Sequence, residues 1–276
     1  MSYSSKHASM GTVFDFKDAQ AYSRWMEDPR NKSAIESESR LMMEMLAPLE
    51  TDSAVSIGGC AGSRLLPFVD RGINLTAVDA SPYMLDFLCA YYGSRIELYR
   101  GDLEDLPFED NSFNHACLVT TLEFVDHPER VIAEACRVAK DKLFIGFLNR
   151  YAIKGVQRRV SGMFRKTLFN RANFFSVWEL KKYVKAVAGD VPIAWRTVGQ
   201  LPDTGGFFRD RIEQSRMIQR FPFGAFAGMV VTLVPRFKTR PLARAIIQKV
   251  LLRQCRVKNE VQGSEVQRLK AFNPET

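Results

Sequence analysis

Residues 54–65 read AVSIGGCAGSRL, a short apolar run followed by small residues. An apolar run of this length, bounded by glycines, predicts a buried strand that ends in a tight turn. Small residues between a strand and a helix let a ligand approach the backbone. The N-terminus of the following helix then offers free N–H groups to an anion. The segment therefore predicts a ligand-binding turn at the end of a buried strand.

A carboxylate follows this turn at a sequence separation that is typical of nucleotide-binding folds. Asp79 ends the next apolar run, 21 residues after Gly58. A carboxylate at the end of the second strand is placed to accept hydrogen bonds from two ribose hydroxyls. The dinucleotide pattern G-x-G-x-x-G, started at Gly58, fails at Cys60 and Ser63, so the turn is not obviously built for a pyrophosphate. A ligand with a ribose and a single carboxylate, such as S-adenosylmethionine, requires fewer glycines in this turn than a pyrophosphate does.

Strands and helices alternate on either side of this segment. Ser81 and Pro82 form a typical helix start, with Ser as N-cap and Pro in the first turn. Two helices precede the first strand, and Pro29 separates them. Five strands with intervening helices predict a parallel sheet with right-handed crossovers. The predicted strands, including two later ones, are 54–57, 74–78, 95–100, 115–119, 142–148, 193–198 and 225–234.

Composition limits the class of protein. The chain has 276 residues, of which 46% are hydrophobic and 25% charged, as in ordinary globular proteins. It contains no apolar run long enough to cross a membrane, and its N-terminus lacks the apolar core of a secretory signal. Its five cysteines show no C-x-x-C spacing, which argues against a disulfide framework and for a reducing, cytoplasmic location. With three histidines, no metal site is expected.

The charge is unevenly distributed along the chain. Residues 1–150 carry a net charge of −8, and residues 151–276 carry +16. The basic half has no recognisable RNA-binding module, which argues against nucleic acid as a partner. A basic amphipathic helix is predicted at 241–257. The favoured interpretation is that its apolar stripe packs on the domain; peripheral contact with an anionic membrane is the minority alternative.

Residues 54–148 resemble class I S-adenosylmethionine-dependent methyltransferases of the small-molecule type. The branch resembled includes the ubiquinone/menaquinone-biosynthesis methyltransferases. The resemblance implies a doubly wound, mostly parallel, seven-stranded Rossmann-like sheet of the α/β class, with an N-terminal helical cap and a C-terminal elaboration. It also implies S-adenosylmethionine as cofactor and a small molecule as methyl acceptor. The matching blocks are AVSIGGCAGSRL, LTAVDASPYML, GDLEDLPFEDNSFNHACLVTTLEFVDHPERVIAEACRVAK and LFIGFLN.

The resemblance assigns roles by position. The methionine end of the cofactor is implied at the glycine-rich turn, the ribose at Asp79 and Ala80, and the adenine at Asp102 and Leu103, with Thr120 facing the cofactor. The turn residues implied are Gly58, Gly59, Cys60 and Gly62. Three positions depart from the family pattern, which usually has an acid at Ser56, a glycine at Cys60 and an aspartate at Asn114.

The catalytic residues stay open at this stage. Methyl transfer from a sulfonium needs a base only if the acceptor must lose a proton. Glu123 and His127, beyond the fourth predicted strand, are the candidates, but the favoured interpretation is a helix-start acid for Glu123 and a turn residue for His127. No catalytic assignment is made. A dehydrogenase of the same fold is disfavoured by the glycine spacing. The rival from another class is a non-catalytic protein whose basic half binds a membrane surface or nucleic acid.

These patterns predict four regions. Residues 1–50 form the helical cap, and residues 51–149 form the cofactor-binding core. Residues 150–235 supply the acceptor side and the last strands, where Phe174, Phe175, Phe207 and Phe208 could line an apolar pocket. Residues 236–276 form the basic helical tail.

Overall fold

The computed structural model describes residues 13–152, 172–199 and 218–233. In this part of the chain the strands are β1 (Ser53–Ile57), β2 (Asn74–Asp79), β3 (Glu97–Arg100), β4 (Phe113–Val119), β5 (Ala139–Leu148), β6 (Ile193–Val198) and β7 (Phe226–Thr232). The α-helices are α1 (Phe16–Glu27), α2 (Pro29–Leu46), α3 (Leu66–Asp70), α4 (Pro82–Tyr92), α5 (Pro128–Val138) and α6 (Val177–Ala188). The helix predicted at 241–257 lies outside the described residues.

The strands form one seven-stranded sheet in the order β3-β2-β1-β4-β5-β7-β6. β1 to β5 run parallel, whereas β7 is antiparallel to both β5 and β6. The predicted doubly wound, mostly parallel seven-stranded sheet is confirmed. Because parallel strands end at the same edge, the loops after β1, β2, β3 and β4 meet at one carboxyl edge.

Helices cover both faces of the sheet, so the central strands are buried on each side. One face packs against α2, α3 and α4 through residues such as Leu41, Phe68 and Leu88. The other packs against α5 and α6 through residues such as Ile132 and Leu180. Strands buried on both faces are nearly continuously apolar, which explains why β1 and β5 could be read directly from the sequence.

The two N-terminal helices form the predicted cap. The N-cap side chain of Asp28 accepts a hydrogen bond from the Arg30 N–H (3.0 Å), and Pro29 opens α2. This places the break between α1 and α2 where the sequence predicted it. A third apolar cluster, with Tyr22 and Trp25 of α1 and Leu148 at the end of β5, lies between the cap and the carboxyl edge.

For the first crossover the sequence predicts a single helix that begins at Gly62 or Ser63 and ends at about Arg71, and the structure differs. A 3-10 turn spans Gly59–Leu65, and α3 is confined to Leu66–Asp70. Gly62 interrupts the helix because its backbone angles are φ +49° and ψ −136°, far from the helical region. The pattern of apolar residues indicated a helix but could not show this local reversal.

The cysteines also depart from expectation at one position. Cys89 in α4 is disulfide-bonded, whereas Cys117 is a buried thiol. The spacing of cysteines along the chain does not show which of them meet in space, so the sequence could not predict this bond. Within the described ranges, no helix combines the length and apolar character needed to cross a bilayer.

A buried ion pair joins the cap to the first crossover. The Arg64 Nε lies 2.5 Å from the Glu38 Oε2 of α2, and both side chains are almost fully buried. The guanidinium also lies 5.5 Å from the centre of the Trp25 ring and 3.4 Å from the Tyr22 hydroxyl. The Ser39 hydroxyl donates to the carbonyl oxygen of Arg64 (2.8 Å). These contacts fix the turn between β1 and α3 against both cap helices.

We expect Arg64→Met to lower the free energy of unfolding by about 3–5 kcal/mol, because it leaves the Glu38 carboxylate buried without its cation. The double variant Glu38→Leu/Arg64→Met removes both charges and should recover most of this loss. Arg30→Met is the matched control, since Arg30 and Asp28 form an exposed pair worth less than about 1 kcal/mol. Urea unfolding measures all three. Equal losses for Arg64→Met and Arg30→Met would contradict the role of the pair.

Candidate functional site

A cleft opens at the carboxyl edge of the sheet, beside the end of β1. β1 lies between β2 and β4, so the connections on its two sides lead away in opposite directions. Open α/β sheets bind ligands at such a switch point. The cleft holds about 580 Å³ of empty space, part of it open to solvent. Its lining residues are Val13, Phe14, Gly58, Asp79, Ala80, Met84, Asp102, Leu103, Glu104, Thr120, Thr121, Phe124 and Val125.

Six of the nine residues predicted to bind the cofactor line this cleft: Gly58, Asp79, Ala80, Asp102, Leu103 and Thr120. Gly59 lies behind Asp79, and its N–H donates to the Asp79 Oδ2. Gly62 packs against α1, because a Cβ at this position would lie 2.7 Å from both the Tyr22 hydroxyl oxygen and the Met26 Cε. The side chain of Cys60 lies outside the described residues.

Asp79 is the most buried carboxylate on the wall of the cleft. β2 ends at this residue, and α4 begins three residues later with Ser81 as N-cap. One carboxylate oxygen accepts the Ser81 N–H (2.6 Å), and the other accepts the Gly59 N–H. Burial raises the pKa of Asp79 to about 6, although these two hydrogen bonds oppose the shift. Each oxygen keeps a second lone pair, so the carboxylate can still accept two hydroxyl groups.

Gly58 brings the backbone to the cleft. Its φ is +90°, and its N–H donates to the carbonyl oxygen of Val78 (2.8 Å). A Cβ at this position would lie 2.6 Å from the Thr121 Oγ1, which is held by a 2.8 Å hydrogen bond to the carbonyl oxygen of Ile57. Both the backbone angle and the available space therefore require glycine.

Thr120 is strained at the end of β4. Its φ is +53°, a left-handed conformation that costs most for a β-branched residue. The Thr120 N–H donates to the carbonyl oxygen of Gly146 (2.8 Å), which holds the turn in place. Backbone strain of this kind, about 1–3 kcal/mol, tends to persist at ligand sites. The sequence placed Thr120 at the cofactor but could not show the strain.

The loop after β3 forms the opposite wall. The Asp102 Oδ1 accepts the N–H of Glu104 (2.9 Å), which folds this acidic loop back on itself. The Glu104 side chain lines the cleft and also reaches Arg130 of α5 (3.3 Å). The sequence analysis identified Asp102 and Leu103 but missed Glu104.

Phe14 was also missed. It precedes the Asp15 N-cap of α1, a position where apolar residues commonly pack against the first turns of their own helix. Here Phe14 packs instead edge-to-face against Phe124, with ring centres 5.1 Å apart. The start of the cap thus becomes part of the cleft wall.

The two candidate bases have different environments. His127 is half-buried at the start of α5, and its Nδ1 lies 3.7 Å from the Glu129 Oε1. Glu123 is fully buried in the 3-10 turn Leu122–Phe124, and its Oε1 accepts the N–H of Leu148 (2.7 Å). Its Oε2 has no hydrogen-bond partner. Burial raises the pKa of Glu123 to about 7.

Comparison with known proteins identifies the class. Residues 55–145 match the family described as methyltransferase domain. An uncharacterized protein of Methanocaldococcus jannaschii is 30% identical over 178 residues, which is 63% of this chain and 78% of that protein. The demethylmenaquinone methyltransferase of Renibacterium salmoninarum is 30% identical over 105 residues, 37% of this chain and 42% of that enzyme. The chain thus spans about two fifths of the length of the named methyltransferases that it matches.

A solved structure from Thermotoga maritima extends the likeness beyond the sheet. It is described as an S-adenosylmethionine-dependent methyltransferase and possible histamine N-methyltransferase. The TM-score is 0.58 at 25% identity, and the match covers 79% of this chain and 96% of that one. Fold, cleft and relatives agree, and the chain belongs to the class I S-adenosylmethionine-dependent methyltransferases.

We expect Gly58→Ala to destabilise the fold more than Gly72→Ala does. Both glycines have positive φ, but a Cβ at Gly72 meets no atom within 4 Å, whereas a Cβ at Gly58 meets Thr121. Gly58 also has a ψ of +134°, which lies outside the left-handed helical region, so the difference of about 1–3 kcal/mol reports the clash together with the backbone angles at Gly58. Chemical unfolding of both variants measures it. Equal losses would show that the turn relaxes around a side chain.

A second expectation concerns the titration of Asp79. Because its folded pKa of about 6 exceeds its ordinary 3.8, the folded state binds more protons between these values. Stability contributed by the protonated form is therefore lost as pH rises from about 4 to 7. Relative to Asp79→Asn, the wild type should lose about 3 kcal/mol over this window. Unfolding free energies at pH 4 and pH 7 test this. A difference between the two proteins that does not change with pH would contradict the buried, titrating carboxyl.

Proposed function

We propose that this protein transfers a methyl group from S-adenosylmethionine to a small molecule with an apolar body. One observation carries the proposal: Gly58, Asp79 and Asp102, which follow three neighbouring strands, line a single cleft. This set suits an adenosine that carries an amino-acid tail. It comprises a glycine turn at the first strand end and a carboxylate at each of the other two, of which Asp79 would bind the ribose. Family membership supports the reaction class.

The residues of the cleft suit the cofactor. Asp79 would accept both ribose hydroxyls with the lone pairs that Gly59 and Ser81 leave free. Asp102 would accept the adenine amino group, and Leu103 would pack against the ring. The open backbone at Gly58 leaves room for the methionine end. The bound cofactor supplies a methyl group already activated by its sulfonium sulfur, so positioning accounts for much of the rate.

Two departures from the family pattern bear on affinity. Ser56, where an acid is usual, is buried, and its hydroxyl lies 3.5 Å from the carbonyl oxygen of Gly58, at the limit of a hydrogen bond. It cannot replace a charge near the cofactor's amino group. The side chain of Cys60, where a glycine is usual, is not described. We propose that the cofactor is held mainly by its adenosine.

The apolar cluster under the cap supports an apolar acceptor. Phe14 and Phe124 line the cleft and belong to this cluster, and half-buried Phe174 packs against it. Phe175 instead joins the core beneath α6, so of the two described phenylalanines only Phe174 remains a candidate. Phe207 and Phe208 lie outside the described residues. The matched relatives include enzymes named demethylmenaquinone methyltransferase and 2-methyl-6-phytyl-1,4-hydroquinone methyltransferase.

The competing functions are less well supported. A methyltransferase family match favours transfer over a non-catalytic binding protein and over a dehydrogenase. The proposed tail, residues 236–276, lies outside the described part of the chain, so a membrane contact through 241–257 remains the separate minority hypothesis. Residues 150–235 as the acceptor side remain part of the proposal.

Calorimetry with S-adenosylmethionine and S-adenosylhomocysteine tests the cofactor assignment. We expect wild-type binding of both and a loss of at least about tenfold for Asp79→Ala, because charge-assisted hydrogen bonds to the ribose disappear. Asp70→Ala, at an exposed position of α3, is the matched control and should bind as wild type. Wild-type affinity retained by Asp79→Ala would refute the ribose assignment, and no binding by the wild type would refute the proposed function.

A further inference from the structure

Glu123 lies behind the wall of the cleft, at the carboxyl edge where β4 and β5 end. It belongs to the turn that follows β4, and its neighbours Thr121, Phe124 and Val125 line the cleft. Its side chain crosses the carboxyl edge to the N–H of Leu148, the last residue of β5. The carboxyl is thereby fixed between the two strand ends, next to the apolar cluster proposed for the acceptor.

The two oxygens of this carboxyl are not equivalent. Oε1 is held by the main chain, whereas Oε2 is buried and has no partner. Buried polar atoms are nearly always hydrogen-bonded, and an unsatisfied one costs about 1–3 kcal/mol. Other buried glutamates here are satisfied: Glu38 pairs with Arg64, and Glu134 with Arg137. Of these three buried glutamates in the described ranges, Glu123 is the one whose carboxyl keeps an oxygen without a partner.

The surrounding charges leave Glu123 uncompensated. The positive charge of Arg64 favours the ionised form of Glu123. The Arg64 guanidinium, however, already pairs with Glu38 and also contacts the Tyr22 hydroxyl. Beyond β5, Arg150 is directed to the carbonyl of Phe174 and to Glu179. An ionised Glu123 would therefore add a net negative charge beside the cleft, which suits a cationic sulfonium and disfavours a neutral thioether.

We propose that the Glu123 carboxylate receives the proton that the acceptor loses on methylation, so that the acceptor's nucleophile is an N–H or O–H group. This inference rests on the proposed function. In the transfer, a bond forms between the acceptor's nitrogen or oxygen and the methyl carbon. The carbon–sulfur bond breaks with its electron pair on sulfur, and the acceptor's proton moves to Oε2. Before the reaction, the negative carboxylate lies near the positive sulfonium. Afterwards, a neutral carboxyl group lies near a neutral thioether sulfur.

This charge matching can be tested without knowing the acceptor. S-adenosylmethionine and S-adenosylhomocysteine share ribose, adenine and amino-acid groups and differ at sulfur in the methyl group and its charge. Proton uptake or release that the ribose contact causes at Asp79 is common to both ligands and cancels in their difference, and the Glu123→Gln variant separates Glu123 from any effect of the sulfur charge on Asp79. Calorimetry at pH 7 in buffers of different ionisation enthalpy counts the protons released with each ligand.

For the wild type we expect S-adenosylmethionine to release up to about half a proton more than S-adenosylhomocysteine, because a carboxyl with a pKa near 7 is about half protonated at that pH. In Glu123→Gln, which can keep the hydrogen bond to Leu148, this difference should vanish while both ligands still bind. Glu109→Gln, at an exposed position, should retain it.

The outcomes separate this inference from the proposed function. If wild type binds both ligands with equal proton release, or if Glu123→Gln keeps the difference, the role of Glu123 is wrong although the cofactor assignment stands. If wild type binds neither ligand, the proposed function itself fails. Should Glu123→Gln not fold, the wild type still decides: its affinity ratio for the two ligands should rise about fivefold from pH 6 to pH 8, as a one-unit shift of the Glu123 pKa from about 7 requires, and a constant ratio would overturn the inference.

Discussion

The site depends on one buried carboxylate. Asp79 accepts the N–H of Gly59, from the turn after β1, and the N–H of Ser81, from the start of α4. It thus ties together the two loops that form this side of the cleft. Parallel pairing of β1 with β2 brings the strand ends side by side, and the carboxylate fixes how the chain leaves each of them. The raised pKa of Asp79 is the electrostatic consequence of using a buried charge for this task.

Local patterns explain why much of the fold could be predicted. The central strands are buried on both faces, so β1, β4 and β5 appear as apolar runs, and Ser81-Pro82 marks α4 directly. Six of nine predicted cofactor residues line the cleft because strand ends are visible in the sequence. The family resemblance implied a mostly parallel sheet but did not say which strand runs antiparallel, and periodicity carries no strand direction, so the placement of β7 came from the structure alone.

The remaining features depend on three-dimensional contacts. Gly62 looked like a ligand-binding glycine, but α1 occupies the space beside it. Phe14 and Glu104 joined the cleft through packing that no spacing indicates. Glu123 had an ordinary interpretation as a helix-start acid until its burial and its free oxygen were seen. Burial of a single polar atom is set by elements distant in sequence, and a local pattern cannot contain it.

The position of β7 has a consequence for how the chain acquires its fold. β7 lies between β5 and β6, and β6 pairs with no other strand in the described sheet. The edge of β5 and the whole of β6 therefore stay unpaired until residues 226–232 join the sheet. Unpaired edges on partly folded chains promote association with other chains. A chain in which this strand has not yet paired exposes an open sheet, so protection of this protein from self-association depends on the pairing of seven residues.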